Sequence, residues 1–384
     1  MSAPIRHAIG ADTVFDGLKV RQNCAVVVEG ARIISLVSRG DLSPSISVHA
    51  LPKGAWLAPG FIDCQVNGGG DVLFNDAPTP QTIATIAAAH RRYGTTSLLP
   101  TLISDSDEKM RRAMAAVQAA MTTEAGVLGI HLEGPFLSPE KAGVHDPRMI
   151  RAPEPHHREM LTSLKHGLTL VTIAPERVPA GFIRDLAAAG VRISLGHSMA
   201  SYDETKRAIA EGLTGFTHLF NAMRPLVSRD PGPIAAALEF SNCFYGLIVD
   251  GEHVAPPMLK LALHGAGTPL LVSDAMPPVG GTKSSFKLYG EDIRVQDGRC
   301  VTKDGKLAGS IIDMASAVRN CVRLLGLSLT DALALASVAP ARFLGLDRSL
   351  GRLGANHRAD MVAFEPGDMR VLGTWLAGEY KSSS

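Results

Sequence analysis

The stretch GVLGIHLE, residues 126–133, is apolar apart from His131 and Glu133 and breaks at once on Gly134-Pro135. A short apolar run bounded by turn residues reads as a buried strand, which leaves Glu133 at its C-terminal end. Three more runs repeat the pattern. VRISLGH (191–197) closes on His197, TGFTH (214–218) on His218 and PLLVSD (269–274) on Asp274. Four strands that each deliver a ligand-type or acid–base side chain to the same end predict a barrel with its function gathered on one face.

Counting outward from these runs gives eight candidate strands, at 57–63, 96–101, 126–133, 168–174, 191–197, 214–218, 244–250 and 269–274. Alanine-rich helical stretches at 79–93, 105–121, 182–189 and 200–211 alternate with them. Eight such units predict a closed (β/α)8 TIM-like barrel. An open doubly wound sheet would carry a glycine-rich nucleotide loop after its first strand, and Asn67-Gly68-Gly69-Gly70 has neither the spacing nor a helix directly behind it. The first 55 residues instead hold short β-like stretches (24–29 and 32–37), and the tail from Gly351 returns to that character at 360–364 and 369–376. The expected organisation is a small β domain from residues 1–56 and 351–384 around a catalytic barrel at 57–350.

Composition excludes several function classes. With 38 Lys and Arg against 37 Asp and Glu, scattered along the chain, there is no electrostatic footprint for nucleic acid or an anionic membrane, so a small-molecule partner is expected. A chain that is 46% hydrophobic and 20% charged can bury a sizeable core. Its five cysteines are far apart and include no C-x-x-C pair, which fits a reducing cytoplasm. No apolar run reaches the roughly 18 residues that would span a bilayer.

A catalytic zinc-type site uses about three protein ligands and keeps one position open for water. Glu133, His197 and His218 form such a set. Asp274 could take a proton from the water and return it to an amine leaving group, which suits hydrolysis of an amide. His145, in KAGVHDP (141–147), can bend back to polarise a carbonyl, although a loop histidine is as readily a solvated one. Arg229 and His253 lie on loops after the sixth and seventh strands and would suit an anionic substrate end, phosphate above all, although each alone is more often a surface residue.

The segments His131-Leu132-Glu133-Gly134-Pro135-Phe136, Gly196-His197-Ser198, Thr217-His218-Leu219-Phe220-Asn221-Ala222-Met223, Asp250-Gly251-Glu252-His253 and Ser273-Asp274-Ala275 resemble, in order and separation, the N-acetylglucosamine-6-phosphate deacetylases of the amidohydrolase superfamily. The likeness runs from Pro59-Gly60-Phe61-Ile62-Asp63 through Leu307-Ala308-Gly309-Ser310 to Ala359-Asp360-Met361-Val362, nearly the whole chain. It implies a deformed barrel of the amidohydrolase type, a small β-sandwich made by both termini, and a homodimer. The implied reaction converts N-acetylglucosamine 6-phosphate to glucosamine 6-phosphate and acetate through a metal-activated water, with Asp274 as general base and acid.

Carried onto this sequence, the resemblance makes Glu133, His197 and His218 the ligands of one divalent metal per subunit. Zn²⁺ is the first expectation, with Fe²⁺, Mn²⁺ and Co²⁺ as alternatives. His145 becomes the carbonyl-polarising group, and Asn221, Ala222 and Ala142 become substrate contacts. Arg229 and His253 become phosphate ligands, which the dimer can lend to the neighbouring site. One departure stands out: many amidohydrolases carry His-x-His after the first strand, and this chain has Gln65-Val66-Asn67. Neutral amides are poor substitutes for imidazole, so a second metal is not expected, and Gln65 is left to reach the water of the first. The rival readings are an amidohydrolase of cyclic amides or N-acyl amino acids, and an inactive sugar-phosphate-binding barrel.

Overall fold

Eight parallel strands run in sequence order around one sheet: Phe61–Val66, Thr95–Ile103, Gly129–Glu133, Leu168–Ile173, Arg192–Leu195, Gly215–Phe216, Phe244–Leu247 and Thr268–Leu271. The structure is a computed structural model that describes residues 6–382. The first three strands are buried along their whole length, as expected where helices cover one face and side chains fill the other. The eighth strand's continuation returns to the first. The Asp274 N–H donates to the Gln65 carbonyl at 3.0 Å, and Val66 bridges Ala275 in parallel. The barrel is thus nearly closed through the two segments that carry Gln65 and Asp274.

Helices pack outside the strands and begin where the sequence supplies caps. The Thr79 and Ser106 hydroxyls accept the first free N–H groups of Pro80–Arg91 and Asp107–Ala120, and Ser201 and Glu204 form a reciprocal capping box on Tyr202–Ala210. Among the described residues, no helix is long and apolar enough to cross a membrane.

Strands from both ends of the chain form one mixed sheet, in the order Glu379–Ser382, Val371–Leu376, Met361–Phe364, Trp56–Pro59, Arg6–Phe15, Val20–Glu29 and Arg32–Ser38, with Ser47–Ala50 also paired to Arg6–Phe15. It has its own core around Ile9, Val26, Leu57, Met361 and Trp375. Arg358 fastens it to the barrel: its guanidinium donates to the Ala125 carbonyl and the Ser97 hydroxyl, each at 2.7 Å, and pairs with Asp360.

Two features depart from the sequence reading. The expected strand at 57–63 is two strands: Trp56–Pro59 belongs to the terminal sheet and Phe61–Val66 to the barrel. Gly60 makes the corner, where a Cβ would come within 2.1 Å of the Thr96 hydroxyl oxygen. The second feature was not expected. A three-stranded antiparallel sheet, Ser285–Leu288, Glu291–Gln296 and Arg299–Val301, is inserted after the eighth barrel strand and packs Leu288 and Ile293 against Ile103 and Met276.

Candidate metal centre

Of the four predicted strand-end residues, only Glu133 lies within its strand. His197, His218 and Asp274 stand two or three residues beyond the ends of theirs, at φ of 47°, 30° and 51°. A left-handed backbone costs a non-glycine residue about 1–2 kcal/mol. Neighbouring hydrogen bonds hold it in place: Ser138 N–H to His197 O at 2.8 Å, Asn221 N–H to His218 O at 3.0 Å, and Ser310 N–H to Asp274 O at 2.9 Å. The kinks turn the three side chains inward, toward Glu133.

The result is a tight, buried triad. Glu133 Oε1 lies 2.9 Å from His218 Nε2 and 3.2 Å from His197 Nε2, and the two ring nitrogens are 3.1 Å apart. His197 donates from Nδ1 to the Lys141 carbonyl at 2.7 Å, so its Nε2 carries a lone pair. At most one proton can be shared among the three facing atoms, which leaves lone pairs opposed in a pocket without water's screening. That donor set fits a divalent cation, and Glu133, His197 and His218 are the residues that can hold it.

Electrostatics agree. Burial disfavours a charged ring at His218, yet the hydrogen bond to Glu133 and its charge outweigh burial and push its pKa up. Burial likewise opposes the Glu133 charge, and the close approach of the His197 and His218 rings overcomes it and holds the carboxyl far below its ordinary value. The pocket attracts positive charge.

Asp274 sits beside the triad with one oxygen taken. Its Oδ1 accepts from the Gln65 amide at 3.1 Å and the Asn67 amide at 2.7 Å, and Gln65 also donates to Glu133 at 3.1 Å. Burial, then the charge of Glu133, pushes the Asp274 carboxyl up to about 6, which suits a group that takes and returns a proton near neutral pH. His145 is buried with its ring centroid 4.4 Å from that of His197, and burial, before the neighbouring imidazoles, pushes it down to about 3. Both shifts run toward the uncharged form: near neutral pH His145 is neutral, while Asp274, at about 6, is still mostly ionised and can accept a proton.

The remaining predicted residues divide. The Ala142 carbonyl accepts the His145 N–H at 3.0 Å, and Asn221 donates from its side chain to the His218 carbonyl at 3.1 Å. Ala222, at φ 49°, accepts the Ser198 N–H at 3.1 Å. All three line the segments that bear the triad and its neighbours. His253 is held by Asp250, Nδ1 to Oδ2 at 2.5 Å, and its charge acts on Asp274. Arg229 is not brought in: it is exposed, and among the described residues no hydrogen bond or ion pair fixes it.

Residues 56–380 match the model of the amidohydrolase family. The chain belongs to this family. A relative from Shewanella sp. (strain ANA-3), an N-acetylgalactosamine-6-phosphate deacetylase, is 40% identical over 380 residues, 95% of each chain. The crystal structure of N-acetylglucosamine-6-phosphate deacetylase from Pasteurella multocida superposes with a TM-score of 0.95 at 35% identity, covering 98% of this chain and 100% of that one. A mutant of the Mycobacterium smegmatis N-acetyl-D-glucosamine-6-phosphate deacetylase, solved in complex with N-acetyl-D-glucosamine-6-phosphate, superposes with a TM-score of 0.89 at 34% identity over 98% and 99% of the two chains.

In this amidohydrolase, the residue that sequence reasoning passed over is Asn67. It was read only as a failed metal ligand, whereas its amide is the shorter of the two bonds to Asp274. Its spacing of two from Gln65, one residue past the end of the strand Phe61–Val66, is the available signal, because alternate residues of extended chain share a face.

Proposed function

We propose that this amidohydrolase removes the acetyl group of N-acetylglucosamine 6-phosphate by hydrolysis, giving glucosamine 6-phosphate and acetate. The observation that carries the proposal is the buried convergence of Glu133, His197 and His218 beside an Asp274 carboxyl pushed up to about 6. Named relatives with the same reaction at 34% and 35% identity supply the substrate.

A divalent cation held by Glu133, His197 and His218, Zn²⁺ before Fe²⁺, Mn²⁺ or Co²⁺, would supply Lewis acidity toward water and the acetamide oxygen. The protein does the rest. Gln65 and Asn67 hold Oδ1 of Asp274, leaving Oδ2 to accept the proton of the attacking water and to pass it to the departing amine. His145 donates to the developing oxyanion. Asn221, Ala222 and Ala142 line the sugar, and His253 and Arg229 bind the phosphate. The exposed position of Arg229 supports a homodimer in which Arg229 serves the neighbouring site. The amides at 65 and 67 support one metal per subunit, and five free, buried cysteines support a cytoplasmic setting.

The Shewanella relative favours a second substrate, the C4 epimer N-acetylgalactosamine 6-phosphate. The test is acetate release from both phosphorylated sugars and from unphosphorylated N-acetylglucosamine, with chelator-treated and metal-restored protein. Metal-dependent turnover of N-acetylglucosamine 6-phosphate is expected. Turnover of N-acetylgalactosamine 6-phosphate alone would move the assignment to the epimer, and absence of turnover of either phosphorylated sugar by metal-restored protein would overturn it.

A further inference from the structure

Ser104 follows directly on the second barrel strand, Thr95–Ile103, and is 1% exposed. Two of its donors meet one atom. Its backbone N–H points to Nδ1 of His145 at 3.2 Å, and its hydroxyl oxygen lies 2.8 Å from the same nitrogen. A backbone N–H can only donate, so Nδ1 must present a lone pair, and the hydroxyl must then donate as well. A neutral imidazole with a lone pair on Nδ1 carries its proton on Nε2.

The surroundings keep the hydroxyl where it is. A Cβ at Gly134 would lie 2.3 Å from it, so the glycine provides the space it occupies. From the inserted sheet, the Tyr289 hydroxyl donates to the Ser104 carbonyl at 2.5 Å and braces the same peptide. On its far side the His145 ring packs on His197.

We infer that Ser104 is a positioning residue: it locks His145 in the tautomer with its proton on Nε2, so that the ring meets the substrate as a hydrogen-bond donor and not as a base. This deepens the proposed function and rests on it for the identity of the acceptor, the acetamide oxygen. The division of labour follows, with Asp274 carrying the proton and His145 only donating.

The test reads the ring itself. Two-bond ¹H–¹⁵N spectra of the full chain labelled with ¹⁵N-histidine, with His145 assigned by its loss in His145→Gln, should show a protonated Nε2 and an unprotonated Nδ1. A wild-type spectrum with the proton on Nδ1 overturns the inference whatever the enzyme's substrate proves to be. The second measurement is a double-mutant cycle. Ser104→Ala should lower kcat roughly 10-fold with KM little changed, the size of loss expected when a bond supporting a functional ring is removed. In the His145→Gln background the same substitution should cost less than about twofold, because Ser104 then has no ring to hold. Equal losses in both backgrounds would mean that Ser104 acts elsewhere. Absence of turnover in wild type would count against the substrate and leave the spectrum to decide the tautomer.

Discussion

Among its described residues the protein brings one carboxylate and two imidazoles together twice, and the two sets are built differently. Glu133, His197 and His218 are buried at the barrel's mouth, with ring and carboxylate lone pairs turned toward one another. Asp107, His156 and His157 lie on the barrel's flank, where Asp107 opens one helix and the histidines open the next. There, His157 accepts the Glu154 N–H on Nδ1 at 2.8 Å and donates from Nε2 to Asp107 at 3.0 Å, while His156 and the Arg151 guanidinium bond to the same carboxylate. The flank cluster already contains its cation. Residue type and proximity do not make a metal site; it takes lone pairs that no proton or guanidinium has claimed.

The most severe way to break this comparison is to neutralise each carboxylate in turn. Glu133→Gln keeps the shape but removes the charge that draws a cation, and we expect loss of bound metal by elemental analysis together with loss of turnover. Asp107→Asn should leave metal stoichiometry at one per chain. A change in metal content on substituting Asp107 would make the flank cluster a site after all.

Asp274→Asn separates holding a metal from using it. The amide keeps the volume but cannot carry a proton, so kcat should fall at least ~10²-fold while metal content stays as in wild type. Loss of metal along with activity would move Asp274 into the ligand set. Arg229→Ala is expected to be milder. Its contact with the phosphate is remote from the scissile bond, so KM for the phosphorylated sugar should rise with kcat little altered. A fall in kcat at unchanged KM would remove Arg229 from the phosphate site.

How far these sites were legible in the sequence depends on what each depends on. Strand ends that close on Glu, His, His and Asp were visible as period and punctuation, and the barrel followed from counting them. That His197, His218 and Asp274 adopt left-handed backbone was not legible, because nothing in Gly196-His197, Thr217-His218 or Ser273-Asp274 announces a positive φ; hydrogen bonds from the distant Ser138 and Ser310 hold it at His197 and Asp274, and a local turn to Asn221 holds it at His218. The inserted sheet was legible in principle. Tyr289-Gly290 and Asp297-Gly298, all at positive φ, are two-residue hairpin turns of the kind Asp-Gly favours, set between strands with many charged residues that dilute an apolar signal. The flank cluster was invisible, since residues 107 and 156–157 are joined only by the packing of two helix starts.

That flank cluster offers the smallest effect and the clearest sign. Burial opposes the Asp107 charge, but hydrogen bonds from His157, His156 and Arg151 outweigh it and hold the carboxyl well below its ordinary value of 3.8. A group with a depressed folded pKa contributes stability that is fully present above the unfolded value, near 3.9, and is lost as pH falls through the folded value. Asp107→Asn, which cannot ionise, should therefore cost about 1–3 kcal/mol at pH 7 in denaturant unfolding. The gap to wild type should narrow as pH drops below about 4. Turnover at pH 7 should be unchanged, because the cluster joins helix starts away from the triad. A gap that instead widened in acid would show that the histidines, and not the carboxylate, set the stability of this joint, and the contrast between a closed cluster and an open one would have to be redrawn around their protonation.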